Sequence, residues 1–248
     1  MIQLSTIKTW HVVISGFLQR QGAPNGMLSL ATELHRTYAG PECMVEMRLW
    51  DESMAGLAEK IWLLRPQVGS RKSDVGGVCP VLQRTLSIVQ ARQHMDSCPT
   101  CQQRLARRRD AKASDLPAPT SDFPTTSDFP SIKIYGYSWG GAAAIRLAGE
   151  LHKRGLPVDN LVLSDPVYRH WYWAGNWRAF WPFSKLYVPV NVARVDVFSQ
   201  RQNLPSGHEV VALDPEQTIV TNRGVLGVNH QYMDDHPRFQ NHALEVSK

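Results

Sequence analysis

The sequence predicts an α/β fold, a three-layer sandwich in which a mostly parallel sheet is covered by helices on both faces. Two observations predict it. Short apolar or β-branched runs alternate with amphipathic helical segments on both sides of an irregular middle, the pattern that yields parallel strands. The chain is also long enough for one sizeable core, with 248 residues of which 43% are hydrophobic and 20% charged.

The elements follow in order. Residues 10–17 form a buried strand ending in Ser15-Gly16-Phe17, and a Gly/Pro/Asn loop spans 21–26. Residues 27–38 are a helix with Leu28, Ala31, Leu34 and Tyr38 at helical spacing, stopped by Ala39-Gly40-Pro41. Residues 44–50 form a second strand and 53–64 a second helix, with Ala55, Ala58, Ile61 and Trp62 on one face and Pro66 closing it. The rhythm resumes with a strand at 132–135, a helix at 140–154 and strands at 161–163 and 192–198. An extended segment at 209–213 and a last helix, Pro237–Val246, complete the chain.

Residues 66–130 break the alternation and read as an insertion between the two parts of the domain, 1–65 and 131–248. Within the insertion, 81–109 is helical, and 113–130 carries four prolines and a near-tandem Thr-Ser-Asp-Phe-Pro repeat, the composition of a linker. Nine Lys and Arg against six Asp and Glu place +3 of the net charge of +5 in this insertion, so the basic balance is local. No apolar run reaches the roughly 18 residues that a membrane span needs. The opening residues lack a basic region leading into a long apolar run, which predicts no secretory leader and a cytosolic location. Four cysteines are too few for a disulfide scaffold.

The sharpest motif is Gly136-Tyr137-Ser138-Trp139-Gly140-Gly141. It follows a β-branched strand and opens a helix of small residues, the setting in which a serine at a strained turn presents its hydroxyl outward. Glycines two positions on either side leave room for that turn, and the Trp139 amide points back toward a developing oxyanion. The bland reading is a Gly-rich turn that only packs helix on strand. The segment resembles the nucleophile elbow of the α/β-hydrolase superfamily, and the resemblance covers most of the chain outside 66–130.

That resemblance implies a nucleophile, an acid and a histidine in this chain order. Ser138 matches the nucleophile. Asp165, ending the next strand in Leu-Val-Leu-Ser-Asp-Pro, matches the acid of those members whose acid follows the strand after the nucleophile. Asp214 is the alternative, Asp196 lies within a strand, and an aspartate before proline also serves as a turn former. His230, in Gly-Val-Asn-His ahead of the terminal helix, matches the base, with His208 and His236 as competitors. His230 would take the Ser138 proton and return it to the leaving group, with Asp165 fixing its tautomer. The second oxyanion donor would be the amide of Phe17 or Leu18, unless Gly16 merely allows a sharp exit from the strand.

Residues 168–187 hold nine aromatics, including Tyr168, Trp171, Trp177, Trp181 and Tyr187, and the α/β-hydrolase resemblance implies a lid here, in the segment 167–187. A lid of this kind would line an apolar pocket and exclude water from an acyl-enzyme. Core packing and a protein-binding patch are the alternatives, and Arg169, His170, Arg178 and Lys185 also permit contact with anionic lipid. The substrate expectation is a small-molecule ester or lipid-like compound with an apolar acyl part.

In the insertion, His94, Cys98 and Cys101 have metal-ligand spacing, and Cys79 upstream would close a Cys3His site. The segment resembles the zinc-binding helical segment of anti-sigma-factor domains, which implies a structural zinc. A redox-active Cys98/Cys101 pair or unliganded thiols are the rivals. Arg104, Arg107, Arg108 and Arg109 read as a solvated face, so no specific nucleic-acid partner is expected. No cofactor is expected for catalysis. Two functions remain open: a serine hydrolase acting on an ester or thioester, and a non-catalytic binding protein on the same scaffold, since fold alone does not choose.

Overall fold

A computed structural model describes residues 7–17, 19, 24–65, 129–168 and 184–248. All of them fall within one compact unit, Ser5–Pro66 joined with Phe129–Lys248. The expectations placed on the insertion at 66–128, and on the lid-like residues 169–183, lie outside the described residues.

The first part of the chain gives β1 (Thr9–Ser15), α1 (Gly26–Tyr38), β2 (Cys43–Leu49) and α2 (Met54–Leu64). The second gives β3 (Ser131–Tyr137), α3 (Trp139–His152), β4 (Val158–Ser164), β5 (Lys185–Val188), β6 (Val192–Gln200), β7 (Glu209–Ala212) and β8 (Ile219–Leu226). A single 3-10 turn at His230–Tyr232 and α4 (Pro237–Val246) follow. Six strands form one parallel sheet in the order β2-β1-β3-β4-β6-β8. β5 and β7 pair in parallel as a separate two-stranded sheet.

Strand alternation builds the three layers. On β1 and β3, Trp10, Val12, Ile14, Ile132 and Ile134 pack with Leu57 and Ile61 of α2 and Leu147 and Leu151 of α3. Val13, Tyr135 and Tyr137 point the other way, onto Met27, Leu30 and Leu34 of α1 and Phe239 of α4. These side chains are almost wholly buried, and each such Leu or Ile contributes roughly 1.5–3 kcal/mol of apolar transfer free energy. Helix starts are set locally: Asn25 accepts from Leu28 N at 2.9 Å, and Ser53 accepts from Gly56 N at 3.1 Å. Caps of this kind are worth about 1 kcal/mol each.

The predicted α/β sandwich is the observed one, with corrections at particular elements. The first strand stops at Ser15, so Gly16 and Phe17 belong to the loop that follows it. The segment at 209–213 is not in the main sheet; its residues Glu209–Ala212 pair with β5, a strand the sequence reading did not contain. The sixth strand of the main sheet, β8, is the second addition. Its pairing slips between Val197 and Phe198, opposite Asn222 and Gly224, and the extra residue is Arg223.

Parallel pairing fixes where a site can be. In register, Ser15 lies beside Leu49, Ile14 beside Gly136, Tyr137 beside Ser164, and Ser164 beside Phe198. The C-terminal ends of these strands therefore meet along one edge, where α/β sheets collect their functional loops. Among the described residues no helix is long and apolar enough to cross a membrane.

Candidate active site

Ser138 stands between β3 and α3 with φ 55° and ψ −125°, a left-handed backbone rare for a residue with a side chain. The crowding around it explains the glycines of its motif. A Cβ on Gly136 would lie 2.7 Å from Gly140 O, and one on Gly140 would collide with the Ile14 carbonyl. The turn is held by its own backbone: Ser138 N donates to Ser164 O at 3.1 Å, and Ser138 O accepts from Gly141 N at 2.9 Å and Val167 N at 3.0 Å. Ser138 is 4% exposed.

Three of the predicted residues meet in one line. His230 Nε2 lies 2.8 Å from Ser138 Oγ, and His230 Nδ1 lies 2.5 Å from Asp165 Oδ2. They come from three different strand ends and could not meet through local sequence. Asp165 is fully buried at the end of β4. Its Oδ1 accepts from Gly207 N at 2.7 Å and Gln200 N at 3.1 Å, and its Oδ2 from Gln200 Nε2 at 3.0 Å. Those three donors fix the orientation of the Asp165 side chain. The Tyr137 hydroxyl donates to His230 O at 2.8 Å, and its ring lies 5.2 Å from the imidazole. Burial, with Asp234 and Asp165 nearby, pushes the Tyr137 phenol well above its ordinary value, so it stays a donor.

The other wall comes from the loop after β1. Gly16 presses against the elbow so closely that a Cβ there would lie 2.9 Å from Ser138 Cβ. Gly16 N donates to Gln19 Oε1 at 2.9 Å, and Gln19 Nε2 donates to Asp234 Oδ2 at 2.5 Å. Beside it, the Phe17 ring sits 4.2 Å from the Trp139 ring, and Trp50, just after β2, meets Trp139 edge-on at 5.0 Å. The rings of Trp139 and Phe17, two of the three residues expected to lend backbone amides to an oxyanion, thus pack against each other. Leu18, the third, lies outside the described residues.

The competing residues have other surroundings. Asp214 folds its own turn, accepting from Glu216 N at 3.0 Å and Gln217 Nε2 at 2.6 Å. Asp196 is buried in β6 among Arg223 at 2.7 Å, His242 at 3.0 Å and Arg194 at 3.2 Å. His236 caps α4, accepting from Arg238 N at 3.2 Å. His208 is buried, with its amide on Pro166 O at 2.8 Å and its Nδ1 3.3 Å from Ser206 O. Lys185 pairs with Glu209 across β5 and β7 at 3.1 Å.

Sequence reasoning did not find Gln200, Gly207 or the holding role of Tyr137. Tyr137 is a spacer in the serine motif, Gly207 sits beside His208, itself a competitor for the base, and a lone glutamine at a strand end carries no motif. Cys79, His94, Cys98 and Cys101 lie outside the described residues, as do Trp171, Trp177, Trp181, Arg169, His170 and Arg178. Among the described residues no group of three or more His, Cys, Asp or Glu could hold a metal ion.

No protein-family model and no curated protein matches this chain. Among solved structures it is similar to RedJ with a PEG molecule bound in the active site, at 15% identity and TM-score 0.38, covering 99% of this chain and 94% of that one. It is also similar to the Vlm2 thioesterase domain bound with a dodecadepsipeptide, at 13% identity and TM-score 0.31, covering 97% and 96%. ClbQ from the colibactin NRPS/PKS pathway gives 12% identity and TM-score 0.31, covering 96% and 95%.

Proposed function

We propose that this protein is a serine hydrolase that cleaves a small-molecule carboxylic ester or thioester with an apolar acyl part. The observation that carries the reading is the hydrogen-bonded line from Ser138 Oγ through the His230 imidazole to the buried Asp165 carboxylate, at 2.8 and 2.5 Å. Such a line is what turns a weakly nucleophilic hydroxyl into an attacking group.

The steps follow from the atoms. His230 Nε2 takes the Ser138 hydroxyl proton as Oγ bonds to the substrate carbonyl carbon, and the carbonyl oxygen becomes an oxyanion. The amides of Trp139 and Phe17 donate to that oxygen, and the N-terminal end of α3 adds positive potential. The intermediate collapses, the bond to the alcohol or thiol breaks, and Nε2 returns its proton to the leaving group. Water then enters, loses a proton to Nε2, and releases the acid while Ser138 regains its proton. Asp165 keeps Nδ1–H directed toward itself and stabilises the imidazolium in both halves. The apolar acyl part is supported by the aromatic cluster of Phe17, Trp50 and Trp139 beside the serine.

The test is hydrolysis of p-nitrophenyl esters and acyl thioesters by the wild-type protein and by Ser138→Ala. The reading expects turnover in the wild type and its loss in the variant. Turnover that persists in a folded Ser138→Ala protein would overturn it.

A further inference from the structure

We propose that Gln200 and Asn203 are positioning residues that carry Asp165 and His230 as one hydrogen-bonded unit, an inference that rests on the hydrolase reading above. The bonds close into a ring. His230 Nδ1 meets Asp165 Oδ2 at 2.5 Å, and Gln200 Nε2 donates to the same oxygen at 3.0 Å. Gln200 Oε1 accepts from Asn203 N at 3.1 Å, and Asn203 Oδ1 accepts from His230 N at 2.7 Å.

The ring answers a problem set by the topology. Asp165 ends β4 and His230 follows β8, and β6 lies between those two strands in the sheet. No ladder of strand hydrogen bonds therefore holds the His230 loop level with the carboxylate. Gln200 ends the intervening strand and is fully buried, so it can span the gap. Its Nε2 also lies 2.9 Å from Asn203 O and 3.1 Å from Pro205 O, and its Oε1 accepts from Gln202 N at 2.6 Å. One amide thus folds the 200–205 loop and faces the acid. That loop presents Asn203 to the His230 amide, while Tyr137 donates to the His230 carbonyl at 2.8 Å and Met233 N reaches it at 3.2 Å. Both backbone polar groups of the base are gripped, which leaves the ring little freedom to turn from Ser138. A misplacement of about 1 Å in such a site costs on the order of a hundredfold in rate.

Asn203 is only partly buried and lies in a loop, so its variants are the ones to make. Asn203→Ala removes the acceptor for His230 N, and Asn203→Asp keeps it. The readouts are kcat and KM on a p-nitrophenyl ester, and the downfield proton resonance of His230 Nδ1–H, assigned by its loss in His230→Ala. Asn203→Ala is expected to lower kcat on the order of tenfold or more with KM nearly unchanged, and to shift or broaden the resonance. Asn203→Asp is expected to restore both. Wild-type kcat and resonance in Asn203→Ala would overturn the proposal, as would equal losses in the two variants or no such resonance in folded wild type. An Asn203-dependent resonance in a wild type that turns over no ester supports the ring and overturns the hydrolase reading instead. Gln200→Met, if it folds, is expected to lose the resonance as well; the Asn203 pair decides if it does not.

Discussion

Gly16 and Ser138, far apart in sequence, touch so closely that a methyl group on Gly16 would lie 2.9 Å from Ser138 Cβ and 2.8 Å from the Tyr137 ring. The two strands that bring them together, β1 and β3, are neighbours in the sheet. Space, not backbone conformation, requires the glycine here. Gly16→Ala is expected to push the loop after β1 outward and carry with it the Phe17 amide, the proposed oxyanion donor. Overpacking of this kind costs about 1–3 kcal/mol of stability. Thermal melts and steady-state kinetics should show a modestly destabilised protein whose kcat falls with little change in KM.

Asp165→Asn keeps the volume of the buried side chain and removes its charge. Gln200 and Gly207 would then face an amide, and His230 would lose the acceptor that fixes its tautomer. A comparable change in a serine protease triad costs roughly ten-thousandfold in kcat. Kinetics of the purified variant, with circular dichroism to establish folding, should show a loss approaching that size and a KM close to wild type.

Phe17 is 45% exposed, so removing its ring leaves the core intact while opening the aromatic cluster beside Ser138. Phe17→Ala is expected to lower kcat/KM for octanoyl esters on the order of tenfold relative to acetyl esters, the scale at which apolar pockets discriminate. Comparing the two esters across both proteins measures this directly. An equal change for short and long acyl groups would mean that Phe17 shapes the loop and not the acyl site.

His11 gives the fold a pH dependence remote from the catalytic reading. It is 1% exposed between Tyr38 and Tyr135, with Nδ1 3.2 Å from the Tyr135 hydroxyl and Nε2 buried without a hydrogen-bond partner among the described residues. Burial, and secondarily the charge of Lys133, lowers its pKa from 6.5 to about 4. Between those values the unfolded chain binds a proton that the folded protein does not, so stability falls as pH drops from 6.5 toward 4. The loss attached to this one group is roughly 3 kcal/mol at most. Denaturant melts across this range should show a shallower pH dependence in His11→Gln than in wild type.

Much of this was legible in the sequence because it is written locally. The serine elbow needs its glycines at fixed positions, strand-end Asp165 follows an apolar run, and the terminal helix Pro237–Val246 begins at a proline. β8 was not legible because it is an edge strand whose residues are exposed or half-buried except for Leu226, with Asn222, Arg223 and Gly224 interrupting its apolar pattern. Gln200, Asn203 and Gly207 were hidden for a different reason. Each acts through a hydrogen bond to a residue distant in sequence, and no periodicity or spacing records such a bond. The aromatic cluster likewise joins the ends of β1 and β2 to the start of α3, which only the sheet order brings together.

The most direct measurement is labelling of the folded protein with a fluorophosphonate, wild type beside Ser138→Ala and His230→Ala, with the modified peptide located by mass spectrometry. An activated Ser138 predicts one adduct on that serine in wild type, none in Ser138→Ala, and strongly slowed labelling in His230→Ala. A folded wild-type protein that takes no label, or takes it on another residue, would contradict the account.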